Sequence, residues 1–439
     1  MKINYSRFSL RFRKIETPFI VWLVVVFAFI GNASQFPILG KQIAGWSWVV
    51  PFSFSMFIIM KRSSRIVFPV YFWLPWICIV VMYFAESGFS YLQRNMLLVC
   101  PIVVGVAVST SRITETDLEG FLELARILIF ALLAVVVVKT GLLFTGVFPT
   151  LTTLAPQSIT ATILCCIFAA GYSFNIRKHL LFWVLGVCIP IIALTRTAIT
   201  VIGMTIPLTF ASLKLRKRVI FLAIVAVLGV ALFYTERVQN KMFFSGSGTL
   251  QDMRLSNPDF FTAGRSRLWD SMVEEIRMKP IWGHGSNESE KFVLSATFGI
   301  LTHPHNDWLR LLYDYGFIGT SIFAFCLVAQ VIHLLKRAKM AIGKSRILLY
   351  AGASSFLPLV LLMFTDNIIL YAAFFGNLQF TILGLVYAAE KTREIDALNY
   401  YRQLAMAAPV NPERKMNYRE SDFGGVGRRD WISVQGKRS

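Results

Sequence analysis

Charged residues are scarce in this chain. Only 15% of the 439 residues are Asp, Glu, Lys or Arg, whereas 56% are hydrophobic. A helix that crosses a membrane needs about 20 consecutive, mostly apolar residues, and we count about twelve such stretches. They are centred near residues 25, 53, 75, 102, 132, 166, 187, 205, 226, 321, 355 and 378. Since backbone groups in lipid must pair within the protein, the sequence predicts an all-α integral membrane protein.

Cysteine is also scarce, and some common motifs are missing. The six cysteines all lie within predicted spans: Cys78, Cys100, Cys165, Cys166, Cys188 and Cys326. That placement predicts neither a disulfide framework nor a zinc cluster. No internal repeat of 20–50 residues is evident, and no glycine-rich phosphate loop follows a strand, so an ATP-binding cassette is not expected.

Acidic residues are outnumbered by basic ones, 24 to 44, which gives a net charge of +20. If the N-terminus is cytoplasmic, 31 of the 44 Lys and Arg residues lie on the inner side of the predicted spans. This is the positive-inside pattern. We therefore interpret the basicity as an orientation signal that also suits anionic membrane lipid, and we expect no nucleic-acid partner.

The predicted spans also divide the chain into parts. Residues 1–16 form a cytoplasmic segment, and residues 17–234 hold membrane helices 1–9. Residues 235–304 form a large outer loop with an amphipathic helix, and residues 305–390 hold membrane helices 10–12. Residues 391–439 are a cytoplasmic tail, largely disordered because its later part has few large apolar residues.

One stretch of the outer loop, FTAGRSRLWDSMVEEIRMKP, has helical periodicity. Its apolar face consists of Leu268, Trp269, Met272, Val273 and Ile276. Thr262 is a candidate N-cap, and Pro280 ends the helix after Lys279. Arg265 and Arg267 then lie in the first turn, where basic side chains and free N–H groups can bind an anion. The alternative is a surface helix along the membrane with solvated arginines.

A further cation, Arg196, lies between two predicted spans on the outer side. A charge at mid-span costs about 2.5–3.5 kcal/mol. Arg196 is therefore either a functional cation or a turn residue that anchors two helices. Lys139, Arg94 and Asp366 also lie near the outer face, and we interpret them as interface anchors or structural partners.

The segment HPHNDWLRLLYDYGFIGT lies where the outer loop returns to an apolar helix. Pro304 favours a helix start. His305 would then lie at a helix N-terminus, whose dipole favours a neutral ring that can accept a proton. Asn306 is a candidate capping residue. Gly316 and Gly319 lie three apart on the predicted helix and form a small-residue face for close packing.

A metal site is the less favoured interpretation. The acidic residues of the outer loop lack convincing ligand spacing. His303, His305 and Asp307 alternate along the chain, but Pro304 and the predicted helix start separate their directions. Zinc is therefore not expected.

Three stretches of the chain carry recognisable motifs. They are H-N-x9-G-x-x-G-T from His305 to Thr320, G-R-x-x-x-W at 264–269 followed by KPIWGHG at 279–285, and Thr-Arg-Thr around Arg196. Together they closely resemble the signature of the O-antigen ligase and Wzy-type polysaccharide polymerase superfamily. The basic tail and the histidine motif are similar to those of ExoQ-like exopolysaccharide polymerases.

The resemblance implies a GT-C-type glycosyltransferase bundle in the bacterial inner membrane, with a large periplasmic loop between helices 9 and 10. Members transfer a glycan from an undecaprenyl-diphosphate carrier without a metal or nucleotide cofactor. The acceptor is lipid A-core for ligases and a carrier-linked repeat unit for polymerases, and other polysaccharide-assembly proteins are implied partners. Carried over to this chain, His305 would be the base, Arg196 and Arg265 would bind the diphosphate, and Trp269 belongs to a supporting motif.

Three functions follow, in order of preference. The first is a polymerase of exopolysaccharide or O-antigen repeat units, and the second is an O-antigen ligase. The third belongs to another class, a transporter or flippase of lipid-linked glycans in which the same arginines bind diphosphate and no bond is made. Inverted repeats are common in transporters, and none is evident here.

Overall fold

The structure, a computed structural model, describes residues 17–33, 37–38, 41–42, 46–87, 91–144, 154–210, 213–240, 243, 248–254, 257 and 265–407. The chain divides into two compact units, Met1–Thr392 and Arg393–Ser439. In the second unit, the described residues 393–407 are helical. The predicted N-terminal segment and most of the predicted tail lie outside the described residues.

Helices account for most of the regular structure. Before residue 241, the described residues form ten α-helices: α1 Phe19–Ala33, α2 Val49–Arg62, α3 Leu74–Ser87, α4 Leu92–Ser109, α5 Glu115–Phe144, α6 Ala155–Ser173, α7 His179–Ile192, α8 Arg196–Thr209, α9 Leu215–Phe233 and α10 Glu236–Asn240. Two short antiparallel strands, β1 Pro37–Ile38 and β2 Lys41–Gln42, lie between α1 and α2.

The later part of the chain adds six α-helices among its described residues. They are α11 Ser266–Met278, α12 Glu288–Ala296, α13 Asp307–Met340, α14 Gly343–Ser354, α15 Phe356–Leu362 and α16 Asn377–Ala407. Between α15 and α16 the chain forms a 3-10 turn at Ile368–Leu370 and a π-helical turn at Ala372–Gly376. Single π turns are frequent at functional sites.

The structure is that of a helical, multi-pass membrane protein. Within the described residues, six segments are long and apolar enough to span a membrane: Leu92–Ser109, Glu115–Gly141, Ala155–Ser173, Asp307–Met340, Gly343–Leu362 and Ala372–Leu404. Three shorter apolar helices are Phe19–Asn32, Leu74–Phe84 and His179–Ile192. A helix covers or adjoins each of the twelve predicted centres, but the number of spans and the large periplasmic loop remain predictions.

Helix α6 lies inside the membrane unit. Nearly all its residues are buried, and it packs against α7, α8 and α14. Two of its polar side chains bond to other parts of the bundle. Gln157 Nε2 donates to Asn32 O, and Ser158 Oγ lies 2.9 Å from Thr195 Oγ1. Because unpaired polar groups in hydrocarbon are costly, the bond to Thr195 helps to hold the residue that directly precedes Arg196.

The amphipathic helix α11 packs against protein along its apolar face. Leu268, Met272 and Ile276 are buried in a cluster with Val293 and Tyr313. Three of the five residues of the predicted apolar face are therefore covered by α12 and α13, whereas Val273 is 36% exposed. Among the described residues the helix starts at Ser266, and it ends at Met278, ahead of Pro280 as the sequence predicts. The candidate cap Thr262 lies outside the described residues.

Helix α13 is interrupted at Gly316, where φ is +62° and ψ is −167°. The segment 280–285 pairs with this break. Phe317 N donates to Pro280 O at 2.8 Å, and Gly285 N donates to Asp314 O at 3.0 Å. The prediction of a common helical face for Gly316 and Gly319 is therefore wrong, since Gly316 leaves the helical conformation to bind a second backbone segment.

Candidate active site

His305 occupies a strained position immediately before α13. Its φ is +52°, in the left-handed region that a bulky L-residue rarely adopts. Asn306 follows as the N-cap, and its side-chain oxygen accepts a hydrogen bond from Leu309 N at 3.1 Å. The helix therefore begins at Asp307. The prediction that it begins at Pro304 is wrong, because the left-handed turn at His305 separates that proline from the helix.

A hydrogen bond from α11 supports the turn at His305. Trp269 Nε1 donates to Pro304 O at 2.8 Å. Trp269 N also donates to Arg265 O at 3.0 Å, one helical turn earlier. The arginine and tryptophan of the G-R-x-x-x-W motif therefore have connected positions. Trp269 links the backbone that carries Arg265 to the backbone that carries His305.

An acidic side chain from a distant part of the sequence faces His305. Asp366 Oδ1 lies 3.5 Å from His305 Nδ1. Tyr371 Oη donates a hydrogen bond to the same carboxylate oxygen at 3.0 Å, and Asn367 N donates to it at 2.8 Å. A carboxylate with these partners orients the ring and favours a proton on Nδ1. Asp366 is thus a partner of the candidate base.

The amide of Asn367 is the second neighbour of the ring. Its Nδ2 lies 3.2 Å from His305 Nδ1. Its Oδ1 is buried and has no hydrogen-bond partner among the described residues. Turning the amide by half a revolution would place that oxygen against Nδ1, where it would accept the same proton that Asp366 attracts. Nε2 would then be the acceptor for a substrate proton.

Two arginines lie beside this histidine–carboxylate pair. Burial lowers the pKa of Arg265, and the nearby Asp366 and Tyr371 oppose that shift. Arg196, the first residue of α8, is close enough for its guanidinium to repel that of Arg265. Two half-buried cations that repel each other gain from an anion bound between them. The structure thus brings together His305, Arg265 and Arg196 from three separate motifs.

The other cations near the outer face have different settings. Arg94 forms an ion pair with Glu290 at 3.2 Å. Lys139 is buried in α5, and its Nζ has no hydrogen-bond partner among the described residues. Arg267 lies on the exposed side of α11. We therefore do not assign these three cations to the candidate anion site formed by Arg196 and Arg265.

His303 differs from His305 in its surroundings. Burial, together with the nearby positive charges of Arg310 and Arg94, lowers the pKa of His303 to about 3. Its ring is therefore neutral at physiological pH. His303, His305 and Asp307 do not converge, since the Asp307 carboxylate accepts a hydrogen bond from Ile369 N. In the part of the chain that the structure describes, no three His, Cys, Asp or Glu side chains form a metal-binding group.

Sequence reasoning gave too little weight to the 363–371 segment. Asp366, Asn367 and Tyr371 all contact the site, yet no motif of the sequence marks them. The available signal was a lone carboxylate in the apolar run LLMFTDNIIL. An acidic residue within such a run is a functional hypothesis by default.

Residues 180–324 match the model of a family described as O-antigen ligase. No curated protein matches the chain. The matched residues include Arg196, Arg265, His305 and Gly316, whereas Asp366 lies beyond them. The resemblance to the O-antigen ligase and Wzy-type superfamily is confirmed.

Proposed function

The chain carries an O-antigen ligase family domain at residues 180–324, a family that acts in glycan transfer, and we propose that it is a membrane glycosyltransferase. It transfers an oligosaccharide repeat unit from undecaprenyl diphosphate to a glycan acceptor at the periplasmic face of the inner membrane. The observation that carries the proposal is the placement of Arg196 and Arg265 beside a histidine–carboxylate pair.

The reaction breaks a glycosyl–phosphate bond and forms a glycosidic bond. The acceptor hydroxyl oxygen attacks the anomeric carbon of the donor sugar, and the bond from that carbon to the diphosphate oxygen breaks. The hydroxyl proton passes to Nε2 of His305, and undecaprenyl diphosphate leaves with the bonding electron pair. The protein must therefore accept one proton and stabilise one anion in the same step.

His305 and Asp366 meet the first requirement. The carboxylate of Asp366, held by the Tyr371 hydroxyl, stabilises the imidazolium that forms when His305 takes the proton. The strained backbone at His305 is consistent with a functional constraint on the ring, since such strain clusters at active sites.

Arg196 and Arg265 meet the second requirement. Guanidinium groups bind phosphate oxygens in a bidentate manner and remain charged when half-buried. The departing diphosphate gains negative charge as the sugar leaves. Fixed cations next to that charge stabilise the transition state more than the ground state. We propose that no metal is needed, and excess chelator tests this directly.

Two observations bear on the acceptor. The resemblance of the histidine motif and tail to ExoQ-like proteins favours a repeat-unit polymerase, whereas the matched family description, O-antigen ligase, favours a ligase. The glycan size profile of a deletion strain separates them. Loss of long chains with single repeats retained indicates a polymerase. Loss of surface-attached repeats with long chains kept on the carrier indicates a ligase.

The catalytic proposal is tested with purified protein and a lipid-diphosphate oligosaccharide, with products resolved on a gel. His305→Ala is expected to reduce transfer by about 10²–10⁴-fold, the usual contribution of a positioned base. His303→Ala, which removes the same side chain two residues away, is the control and should lose much less. Carrier-lipid binding should persist in both. Full activity of His305→Ala refutes the base assignment. If the wild-type protein binds the donor but forms no product, the result favours the flippase alternative.

A further inference from the structure

A buried group of three charges lies on one face of α13, directly after the candidate base. Asp307, Arg310 and Asp314 are spaced by three and four residues, and all three are almost fully buried. Arg310 Nε lies 3.6 Å from Asp314 Oδ2, and Arg310 Nη1 lies 4.0 Å from Asp307 Oδ1. Arg310 Nη2 also donates to Asn287 Oδ1 at 3.2 Å. Arg310 thus supplies the counter-charge for two buried carboxylates.

The two carboxylates hold different loops. Asp314 Oδ1 accepts a hydrogen bond from Ser289 N at 2.8 Å, at the start of α12. Asp307 Oδ2 accepts a hydrogen bond from Ile369 N at 2.8 Å, in the segment that follows α15. The two acidic residues therefore share one arginine and differ in what they position.

Asp307 binds the 363–369 segment at both ends. Its backbone N donates to Met363 O at 2.7 Å, and its side chain accepts from Ile369 N. Asp366 lies midway between these two anchor points and faces His305 Nδ1. Asp307 therefore holds the segment that carries Asp366. Neither of its two bonds involves the His305 ring or the Asp366 carboxylate.

We propose that Asp307 is a positioning residue, which holds the Asp366 carboxylate against His305 while Arg310 compensates its buried charge. The inference rests on the proposed function, because it concerns the base of that reaction. A carboxyl-to-amide change at Asp307 keeps one acceptor oxygen but turns an N–H group toward Arg310, so the anchor at Ile369 loosens. Small displacements of a catalytic group cost up to about 100-fold in rate.

The test measures kcat and KM for glycan transfer separately. Asp366→Asn removes the carboxylate that stabilises the imidazolium, so it should lower kcat and leave KM for the lipid-linked donor nearly unchanged. Asp307→Asn should act in the same way and lower kcat by about 10–100-fold. Asp314→Asn removes the same charge from the same arginine but has no bond to the 363–369 segment in the described contacts, and it should lower kcat by much less.

Double variants give an independent readout. If Asp307 acts through Asp366, Asp307→Asn/Asp366→Asn should be no slower than Asp366→Asn within about twofold, whereas Asp314→Asn/Asp366→Asn should show multiplied losses. Asp307→Glu keeps the charge and should recover part of the rate. It also serves as the test variant if Asp307→Asn is absent from membranes.

The outcomes separate this inference from the proposed function. An unchanged kcat in Asp307→Asn, beside a lowered kcat in Asp366→Asn, overturns the positioning role alone. Multiplied losses in the Asp307/Asp366 double variant do the same. Wild-type transfer by His305→Ala refutes the base assignment on which this inference rests. Absence of transfer by the wild-type protein removes the proposed function itself.

Discussion

Replacement of Gly316 by alanine tests whether the break in α13 is required. At φ +62° and ψ −167° the backbone lies in a region that is essentially restricted to glycine. A Cβ at this position would lie 2.6 Å from Gly283 N and closer still to Ile281 O. Neither neighbour is a flexible side chain, since both atoms belong to the backbone.

The cost of this substitution has two parts. An L-residue in such a region costs about 1–3 kcal/mol. Relieving the collision moves segment 280–285 away, which loses the bonds from Phe317 N to Pro280 O and from Ile318 N to Ile281 O. Each such bond contributes about 1 kcal/mol, so the expected total is about 3–5 kcal/mol.

Thermal unfolding of the detergent-solubilised protein, followed by intrinsic fluorescence, measures this loss. Gly229→Ala is the matched control, because a Cβ at Gly229 in α9 meets nothing within 4 Å. Gly316→Ala should unfold at clearly lower temperature and show weaker transfer, since segment 280–285 follows the helix that carries Trp269. Equal melting temperatures and equal transfer for the two variants would refute the reasoning.

Three further outcomes are expected. Arg265→Lys and Arg196→Lys should transfer poorly at normal membrane levels, because lysine keeps the charge but lacks the bidentate fork; near wild-type product from the Lys and Ala variants would leave both arginines as anchors. A reporter fused after Gly285 should be periplasmic and one fused after Lys344 cytoplasmic, and the reverse readings would overturn the charge-based orientation. Transfer should continue in excess chelator, whereas loss of activity that a divalent ion restores would establish a metal requirement.

The sequence predicted those parts of the site that have a local pattern. Apolar runs and charge asymmetry indicated a helical membrane protein, and motif spacing singled out Arg196, Arg265 and His305. The Asn306 cap is a local pattern as well, since a capping side chain bonds within its own first turn.

The rest depends on long-range contacts. The partner of His305 is Asp366. His305 precedes α13 in the sequence and Asp366 follows α15, so no spacing rule connects them. Gly316 was misread for a related reason. Two glycines three apart indicate helix packing in isolation, and the backbone segment that pairs with Gly316 lies some thirty residues earlier.

The nine-residue spacer of the histidine motif has a physical explanation in α13. The nine residues from Asp307 to Tyr315 form about two and a half helical turns. Their length sets how far the turn at His305 lies from the break at Gly316, and therefore from segment 280–285.

The spacer also sets the rotation of one end of this helical stretch relative to the other. One additional residue would rotate Asp314 by about 100° relative to Asp307. The two carboxylates could then no longer share Arg310 while bonding Ile369 and Ser289. The spacer therefore fixes both the distance and the facing of the elements that enclose the base.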